Sequence, residues 1–422
     1  MSSSKDVNGN FTIPEWVKEE IFLDILKEDV EGFAGINSFK VEPGSSVGEN
    51  YMSIILRVSI GVELKDKSQT DVSYLLKTCH SANAEGSEKV DALGAFDREI
   101  EIYRNILPAF EQLYATKGKQ VTFGPKSFRF STHPGMDNIV LEDLKVRDFK
   151  NADRLKGLDM DHCKSVLKLI AEFHAVSAVY YELNGPYPEN LTVGIFREDL
   201  LPMFVEFNKG IKSVLKPLMT SMKEYKNGEY YAGKLFRTDH EAYYKKGHKH
   251  ISDVNYEQFN VLNHGDIWSN NIMFNYDGNQ KPKETLFVDF QMSKYGSPIY
   301  DLYYFILSSA ALDIKLESFD YFIKYYHDHL IENLKLLEYK KKFPTLQSLH
   351  LKLLSNGFAA EMVAVGLMGT VLLDPTDTAN MGSFLSDEEA GNVFRKMIYT
   401  NPKYIKAMND MLPWLDNKGF LD

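Results

Sequence analysis

The chain has 422 residues, of which 44% are hydrophobic and 25% are charged, as expected for a globular protein large enough for two lobes. Its formal net charge of -11 argues against nucleic acid or an anionic membrane surface as the main partner. Cys79 and Cys163 are its only cysteines, which argues against a disulfide framework and suits a reducing compartment.

Neither the N-terminus nor the most apolar window predicts a membrane segment. The first residues are polar and contain no apolar signal core. The window from Leu353 to Leu373 contains Asn356 and Glu361, whose polar groups would be costly in a bilayer, so a buried helix fits it better. These features predict a cytoplasmic protein with no membrane segment and no evident obligate protein partner.

The first sixty residues predict a helix and then a strand. A proline in the first turn favours a helix from Pro14 to Leu26. Hydrophobic residues alternate strictly from Met52 to Ile60, which is the period-two pattern of a half-buried strand. The small-residue turn before it, with Gly44, Ser46 and Gly48, is suited to bringing backbone N–H groups close to a phosphate. A hairpin turn without a ligand is the alternative.

The next strand, predicted up to Thr78, carries a candidate anion-binding lysine. Its apolar residues Val72, Tyr74 and Leu76 share one face, so Lys77 points to the other. If the apolar face packs on a core, Lys77 faces a cleft. The alternative is an ordinary exposed strand lysine.

A helix is predicted from Asp91 to Leu107. Its apolar stripe includes Phe96 and Tyr103, and Glu99 lies on the edge of that stripe. Glu99 therefore points either into a cleft or along an ordinary solvated face.

The middle of the chain predicts a short strand and a long helix. Asn138 to Leu144 is an apolar run that ends in acidic residues, which indicates a buried strand with a polar exit. From Asp161 to Tyr180 the apolar residues recur at helical spacing. His174 has no cysteine or histidine partner at helical spacing, so it is predicted to be a hydrogen-bonded core residue.

Residues 184–257 contain aromatic residues and methionines spread among charges. They suit either the aromatic lining of a pocket for a bulky apolar molecule or simply a helical core, and both interpretations stay open. The set is Phe196, Met203, Phe204, Phe207, Tyr225, Tyr230, Tyr231, Phe236, Tyr243 and Tyr244.

The strongest functional pattern lies in residues 263–290. Asp266 is followed five positions later by Asn271, and a strand predicted over Leu286 to Phe290 carries Asp289. Between them, Asp277-Gly278 favours a hairpin turn, which would bring Asn271 beside Asp289.

These residue types suit metal-dependent phosphoryl transfer. Asp266 can orient and deprotonate a hydroxyl, while the amide oxygen of Asn271 and the carboxylate of Asp289 can hold Mg²⁺ on nucleotide phosphates. Chance Asp and Asn pairs occur in any long chain, but the whole constellation with its hairpin is far more specific.

Helices are predicted for the rest of the chain. A turn from Gly296 to Asp301 leads into an apolar helix, and Asp301 is predicted to be its N-cap. Glu317 to Leu337 and Thr345 to Leu373 indicate amphipathic and buried helices.

The motif residues resemble a known family. His264-Gly265-Asp266 with Asn271, followed by Asp289-Phe290, resembles the catalytic core of the aminoglycoside phosphotransferase and choline kinase group, a relative of protein kinases. The fuller strings look most like the ecdysteroid-kinase-like proteins. The resemblance runs from about Gly44 to the C-terminal helices. It implies an α+β, bilobal protein-kinase-like fold, with an antiparallel-sheet N-lobe in residues 1–140 and a mainly helical C-lobe in residues 141–422.

The resemblance also implies roles for individual residues. ATP is expected between the lobes, with Lys77 binding its phosphates and Glu99 pairing with that lysine. Glu142 and Leu144 match the hinge whose backbone takes the adenine edge, although a plain buried strand is the alternative there. Asp301 is expected to steady the catalytic loop. ATP and Mg²⁺ are the implied cofactors, and the acceptor is an ecdysteroid or a similar steroid-like or xenobiotic alcohol.

Three other classes of protein are weighed against this one. A protein kinase needs a long activation segment, and the interval from Asp289 to Asp301 is too short for one; Gln291 also replaces the glycine found there. A non-catalytic hormone-binding protein would be expected to lose a catalytic or metal residue, and all are present. A choline-type kinase needs acidic and aromatic residues around a quaternary ammonium, which the sequence does not exclude.

Overall fold

The structure, a computed structural model, describes residues 13–44, 54–78, 94–130, 138–193, 217–237, 254–374 and 389–422. Its first part is a five-stranded antiparallel sheet in the order β1-β2-β3-β5-β4. The strands are β1 (Phe33–Pro43), β2 (Ile54–Leu64), β3 (Gln69–Thr78), β4 (Ser127–Phe128) and β5 (Asn138–Glu142).

One face of this sheet packs on the first helix, α1 (Leu23–Asp29). The alternating residues of β2 and β3 are buried on that face together with Phe22, Ile25 and Leu26. The predicted strand is therefore confirmed as β2, whereas β1 was missed. The helix predicted from Pro14 was wrong at its start, because Glu19–Phe22 forms a 3-10 turn before α1.

Helix α2 lies against the opposite side of the sheet lobe. It is α-helical over Ala95–Glu101, continues through a π turn at Ile102–Ile106, and is α-helical again over Leu107–Thr116. The predicted helix is confirmed over its described residues, and it runs nine residues further than Leu107. Single π turns inside helices are often found at functional sites.

The second part of the described chain is mainly helical. Its helices are α3 (Met160–Asn184), α4 (Glu189–Thr192), α5 (Gly228–Leu235), α6 (Ile299–Ser309), α7 (Leu312–Lys315), α8 (Phe319–Leu336), α9 (Leu346–Ser355), α10 (Gly357–Val371, with a π turn at Val363–Leu367), α11 (Glu389–Tyr399) and α12 (Pro402–Asn417). Two small antiparallel sheets join them, β6 (Val261–Asn263) with β9 (Lys294–Gly296), and β7 (Ile272–Tyr276) with β8 (Pro282–Phe287).

The helical part is organised around α3, which is buried along most of its length and packs on α8. One large hydrophobic cluster joins these helices to α2 and α6, while the cluster under α1 is separate. The predicted α+β class, an antiparallel-sheet lobe followed by a mainly helical lobe, is confirmed. The boundary predicted at residues 140 and 141 falls inside β5 and stays a prediction.

Within the described ranges, no single helix is long and apolar enough to span a membrane. The pair α9 and α10, bent by 63°, meets the length and composition requirement only when both helices are counted together.

Candidate active site

The loop from His264 to Asp266 follows β6 and is tightly constrained. Gly265 has φ +83°, and a Cβ there would lie 2.1 Å from the carbonyl oxygen of Met292. Only glycine fits this position, because both the left-handed backbone and the close approach exclude a side chain. The loop is thereby held against the segment that follows Asp289.

Asp301 holds this loop from α6. Its carboxylate accepts the backbone N–H groups of His264, at 2.7 Å, and Gly265, at 2.9 Å. His174 lies 3.1 Å from the same carboxylate and is fully buried, as expected for a structural histidine. The N-cap prediction for Asp301 was wrong, because Pro298 occupies that position and Asp301 lies inside the first turn. Its contacts agree with the loop-steadying role instead.

Both oxygens of the Asp266 carboxylate accept hydrogen bonds. Asn271 donates from Nδ2 to Asp266 Oδ2 at 2.9 Å, and the Tyr304 hydroxyl donates to Oδ1. Burial raises the pKa of Asp266 to about 7; the charge of Asp289 acts in the same direction, whereas the bond from Tyr304 opposes it. Asp266 is therefore poised as a proton acceptor near neutral pH.

Asn271 lies beside Asp289, as the hairpin predicted. The N–H of Val288 donates to the backbone oxygen of Asn271 at 3.0 Å, and β7 pairs with β8 just beyond. The Asn271 amide nitrogen is turned toward Asp266, and no donor among the described residues bonds to its side-chain oxygen. The strand prediction over Leu286 to Phe290 was wrong at its end, because β8 stops at Phe287 and Asp289 follows in a turn.

Lys77 lies on the cleft side of β3 between two carboxylates. Its Nζ is 2.6 Å from Glu99 Oε2 and 2.8 Å from Asp289 Oδ1. Burial lowers the pKa of Lys77, but the charges of Asp289 and Glu99 outweigh it and raise that pKa above its ordinary value. Burial raises the pKa of Glu99, and the Lys77 ammonium opposes that shift. The predicted pairing of Lys77 with Glu99 is present in the structure.

Helix α2 also contacts the segment around Asp289 through Tyr103, which lies one turn after Glu99. The Tyr103 hydroxyl accepts the backbone N–H of Asp289 at 3.2 Å. Asp289 itself has φ +67°, a left-handed conformation that is uncommon for a residue with a side chain. The ring of Phe290 lies between Tyr103, which it meets edge-on at a centroid distance of 5.4 Å, and His264, whose ring is tilted by 41° at 4.6 Å. These aromatic contacts therefore join α2 to both loops of the site.

The predicted hinge residues lie where β5 ends. The N–H of Glu142 donates to the carbonyl oxygen of Lys126 at 2.8 Å, so this group is already engaged within the protein. Leu144 is buried in a small apolar cluster with Phe149 and Leu286, to which Val288 also packs. This cluster places an apolar surface one residue from Asp289.

Asp143, between the two hinge candidates, is bound from the sheet. Its carboxylate accepts Arg57 Nε at 2.6 Å and Ser73 Oγ at 2.8 Å. Burial alone would raise the pKa of Asp143, but these hydrogen bonds and the Arg57 charge hold it below its usual value. A separate cavity of about 730 Å³ lies next to Asp143, between β3, β4 and α2.

The predicted phosphate loop is described only at its first residue. The Gly44 N–H donates to the carbonyl oxygen of Ile55 at 2.8 Å, and a Cβ on Gly44 would lie 2.6 Å from the Ile55 side chain. Ser46 and Gly48 lie outside the described residues.

Part of the aromatic set from residues 184–257 belongs to the core. Tyr225 and Tyr231 are buried, and the Tyr225 hydroxyl donates to the backbone oxygen of Tyr399. The core interpretation therefore holds for these two residues, whereas Tyr230 is exposed. Outside the described residues lie Phe196, Met203, Phe204, Phe207, Tyr243 and Tyr244.

The interval from Asp289 to Asp301 is short and anchored at several points. A 3-10 turn leads directly into β9, which pairs with β6. Arg98 of α2 donates through Nη1 to the backbone oxygen of Gln291. Little chain is left that a modification could order or release.

We expect no phosphorylation switch in this interval. Ser293 is fully buried and donates from Oγ to the backbone oxygen of His264 at 3.2 Å, so a kinase has no access to it. Turnover of bacterially expressed protein should therefore stay the same after phosphatase treatment, and a Ser293→Ala, Ser297→Ala double variant should respond no differently. A more than tenfold loss on dephosphorylation that the double variant abolishes would overturn this expectation.

A sheet lobe, a helical lobe and a cleft that joins Lys77, Asp289 and Asp266 define a kinase-like protein of the small-molecule phosphotransferase class. The chain matches the family model described as the ecdysteroid kinase-like family over residues 47–339, and it belongs to that family.

No curated protein matches the chain. Among solved structures it is similar to the amicoumacin kinase hAmiN in complex with AMP-PNP, Ca²⁺ and Ami, with 12% sequence identity, coverage of 90% of this chain and 94% of that chain, and a TM-score of 0.34.

Proposed function

We propose that this protein transfers the γ-phosphoryl group of ATP, as its magnesium complex, to a hydroxyl group of a small molecule. The observation that carries the proposal is an unbroken line of contacts across the cleft. The Lys77 side chain bonds to that of Asp289 at 2.8 Å, and the Asn271 side chain bonds to that of Asp266 at 2.9 Å. A backbone bond of 3.0 Å from the N–H of Val288, next to Asp289, to the carbonyl oxygen of Asn271 joins the two pairs. A phosphate-binding cation, hard oxygen ligands and a base therefore follow one another in the order that in-line transfer requires.

On the nucleotide side, Lys77 binds the phosphates and Glu99 keeps it extended into the cleft. The pair suits this role because both side chains are buried, so their charges are weakly screened by water. The apolar cluster at Leu144 is proposed to receive the adenine ring, with a backbone group of the Glu142 to Leu144 segment at its edge. The turn with Gly44, Ser46 and Gly48 is proposed to cover the phosphates.

The oxygen atoms of Asn271 and Asp289 fit Mg²⁺, which prefers a few hard oxygen ligands together with phosphate oxygens and water. The Asn271 side-chain oxygen accepts no hydrogen bond from the described part of the chain. When bound, the ion neutralises charge on the transferring phosphates. Lys77 supplies a second positive charge at the same carboxylate.

Asp266 is the proposed base. It orients the acceptor hydroxyl and takes its proton as the oxygen attacks phosphorus, a role that suits a carboxylate with a pKa of about 7. Asp301 and His174 keep the loop in place during this step.

For the acceptor we propose an ecdysteroid or a similar steroid-like or xenobiotic alcohol. Membership of the ecdysteroid kinase-like family supports this choice. Trp268, two residues after the base and half-buried, adds an aromatic side chain close to where the alcohol must bind.

The test is a transfer assay with γ-labelled ATP and a panel of acceptors that includes ecdysteroids, other sterols, choline and aminoglycosides. We expect label in a sterol product from the wild-type protein and none from Asp266→Asn. Label in choline alone would assign the protein to the choline-type kinases instead. A protein that fails to bind Mg-ATP would not be a kinase at all.

A further inference from the structure

Tyr304 contacts the proposed base, Asp266, and belongs to none of the motifs found in the sequence. It lies on α6, three residues after Asp301, so both side chains leave the same face of the helix. Asp301 holds the backbone of His264 and Gly265, and Tyr304 holds the side chain of Asp266. A single helix therefore fixes both the position of the loop and the direction of its carboxylate.

We propose that the Tyr304 hydroxyl, by donating a hydrogen bond to Asp266, keeps water from using this carboxylate as a base. It thereby suppresses hydrolysis of ATP while no acceptor is bound. Tyr304 is then a positioning residue that makes the enzyme selective for alcohols over water. The inference rests on the proposed function, because it assumes that the site binds Mg-ATP.

The reaction to be suppressed is simple. A water oxygen forms a bond to the γ-phosphorus, the bond from that phosphorus to the β,γ-bridging oxygen breaks, ADP leaves, and the water proton passes to Asp266. Water reacts this way only if Asp266 accepts a hydrogen bond from it at the right place. Two donors now bond to the carboxylate, the Asn271 amide at Oδ2 and the Tyr304 hydroxyl at Oδ1, which leaves fewer of its lone pairs open to water.

Water competes poorly with this phenol. The phenol is tethered to a helix, so it returns to Asp266 without a translational entropy cost, whereas a water molecule must be immobilised to take its place. The helix is well anchored, since Asp301, Tyr303 and Phe305 are buried. A water molecule brings no other binding energy with which to displace it.

An acceptor alcohol, unlike water, has an apolar body that is buried when it binds. Burying the body of an apolar molecule contributes about 25 cal/mol per Å², which is enough to offset the loss of one hydrogen bond between Tyr304 and Asp266. Only a molecule that fills the acceptor site can therefore displace the Tyr304 hydroxyl and donate its own hydrogen bond to Asp266. This is specificity by differential binding at the reacting oxygen.

The experiment measures ATP hydrolysis without any acceptor. Tyr304→Phe keeps the ring and removes the hydroxyl, so water gains Asp266 Oδ1 and hydrolysis should rise about tenfold. Tyr303→Phe is the matched control, since it removes a buried hydroxyl from the adjacent residue, whose bond goes to the backbone oxygen of Leu353 at 2.8 Å. It should leave hydrolysis unchanged. The double variant Asp266→Asn, Tyr304→Phe should not show the increase in ATP hydrolysis, because it lacks the base.

If Tyr304 had only a structural role, its replacement would lower ATP hydrolysis. An increase in hydrolysis therefore distinguishes the proposed role from a structural one. Mg-ATP binding is measured in parallel from the shift in melting temperature, and Tyr304→Leu serves as a second variant in case the Phe variant folds poorly. If the variants bind Mg-ATP like the wild type and hydrolyse it no faster, the inference is wrong while the proposed function stands. If the wild-type protein shows no Mg-ATP binding, the proposed function fails and this inference fails with it.

Discussion

Asp266→Asn is expected to lower turnover by about 10² to 10⁴ while Mg-ATP binding survives. Asparagine keeps the shape of the side chain and can still accept a hydrogen bond, but it has no negative charge and cannot take the hydroxyl proton. The nucleotide contacts proposed for Lys77 and Asp289 are untouched by the change. The loss should therefore appear in kcat and not in the KM for ATP.

The pH dependence of kcat/KM is a second test of the role of Asp266. Because the pKa of Asp266 is raised to about 7 and only the ionised form is a base, kcat/KM should fall as the pH drops through about 7. The Asp266→Asn variant should lack this acid limb. Asp313→Asn, an exposed aspartate of α7, is the matched control and should behave like the wild type. Near-normal turnover in Asp266→Asn would remove Asp266 from the mechanism.

Much of this site was predictable because its residues are close together in the chain. Asp266, Asn271 and Asp289 lie on one loop and one hairpin, so turn chemistry at Asp277-Gly278 was enough to bring them together. Lys77 was predicted from strand alternation, which decides the face of a side chain. Glu99 needed the family resemblance, because helical spacing left it on the edge of the apolar stripe.

The residues that were missed act over long sequence separations. Tyr304 reaches Asp266 because α6 packs under the loop, and Tyr103, which lies in the π turn of α2, reaches the backbone of Asp289 across the fold. No local pattern contains either fact. The N-cap prediction for Asp301 failed for the same reason, since a buried carboxylate three residues into a helix serves a neighbouring loop better than its own helix.

The second large effect is expected at Asp289, whose removal should weaken Mg-ATP binding about 100-fold or more. Asp289→Asn is the sharper variant, because asparagine tolerates the left-handed conformation at φ +67° better than alanine does. The apo protein should keep its melting temperature in this variant. Lys77 still has Glu99 at 2.6 Å, so no buried charge is left without a partner.

The measurement is the rise in melting temperature on adding Mg-ATP. At 100 times the dissociation constant a ligand stabilises the folded state by about 2.7 kcal/mol, and a 100-fold weaker complex loses most of that at the same concentration. ATP with a chelator in place of magnesium is the control, in which wild type and Asp289→Asn should differ little. Asp289→Ala should show the same binding loss together with a lower apo melting temperature, because alanine strains the left-handed backbone. If Asp289→Asn instead unfolds without nucleotide while Mg-ATP still stabilises it normally, then Asp289 supports the fold through Lys77 and does not bind the metal.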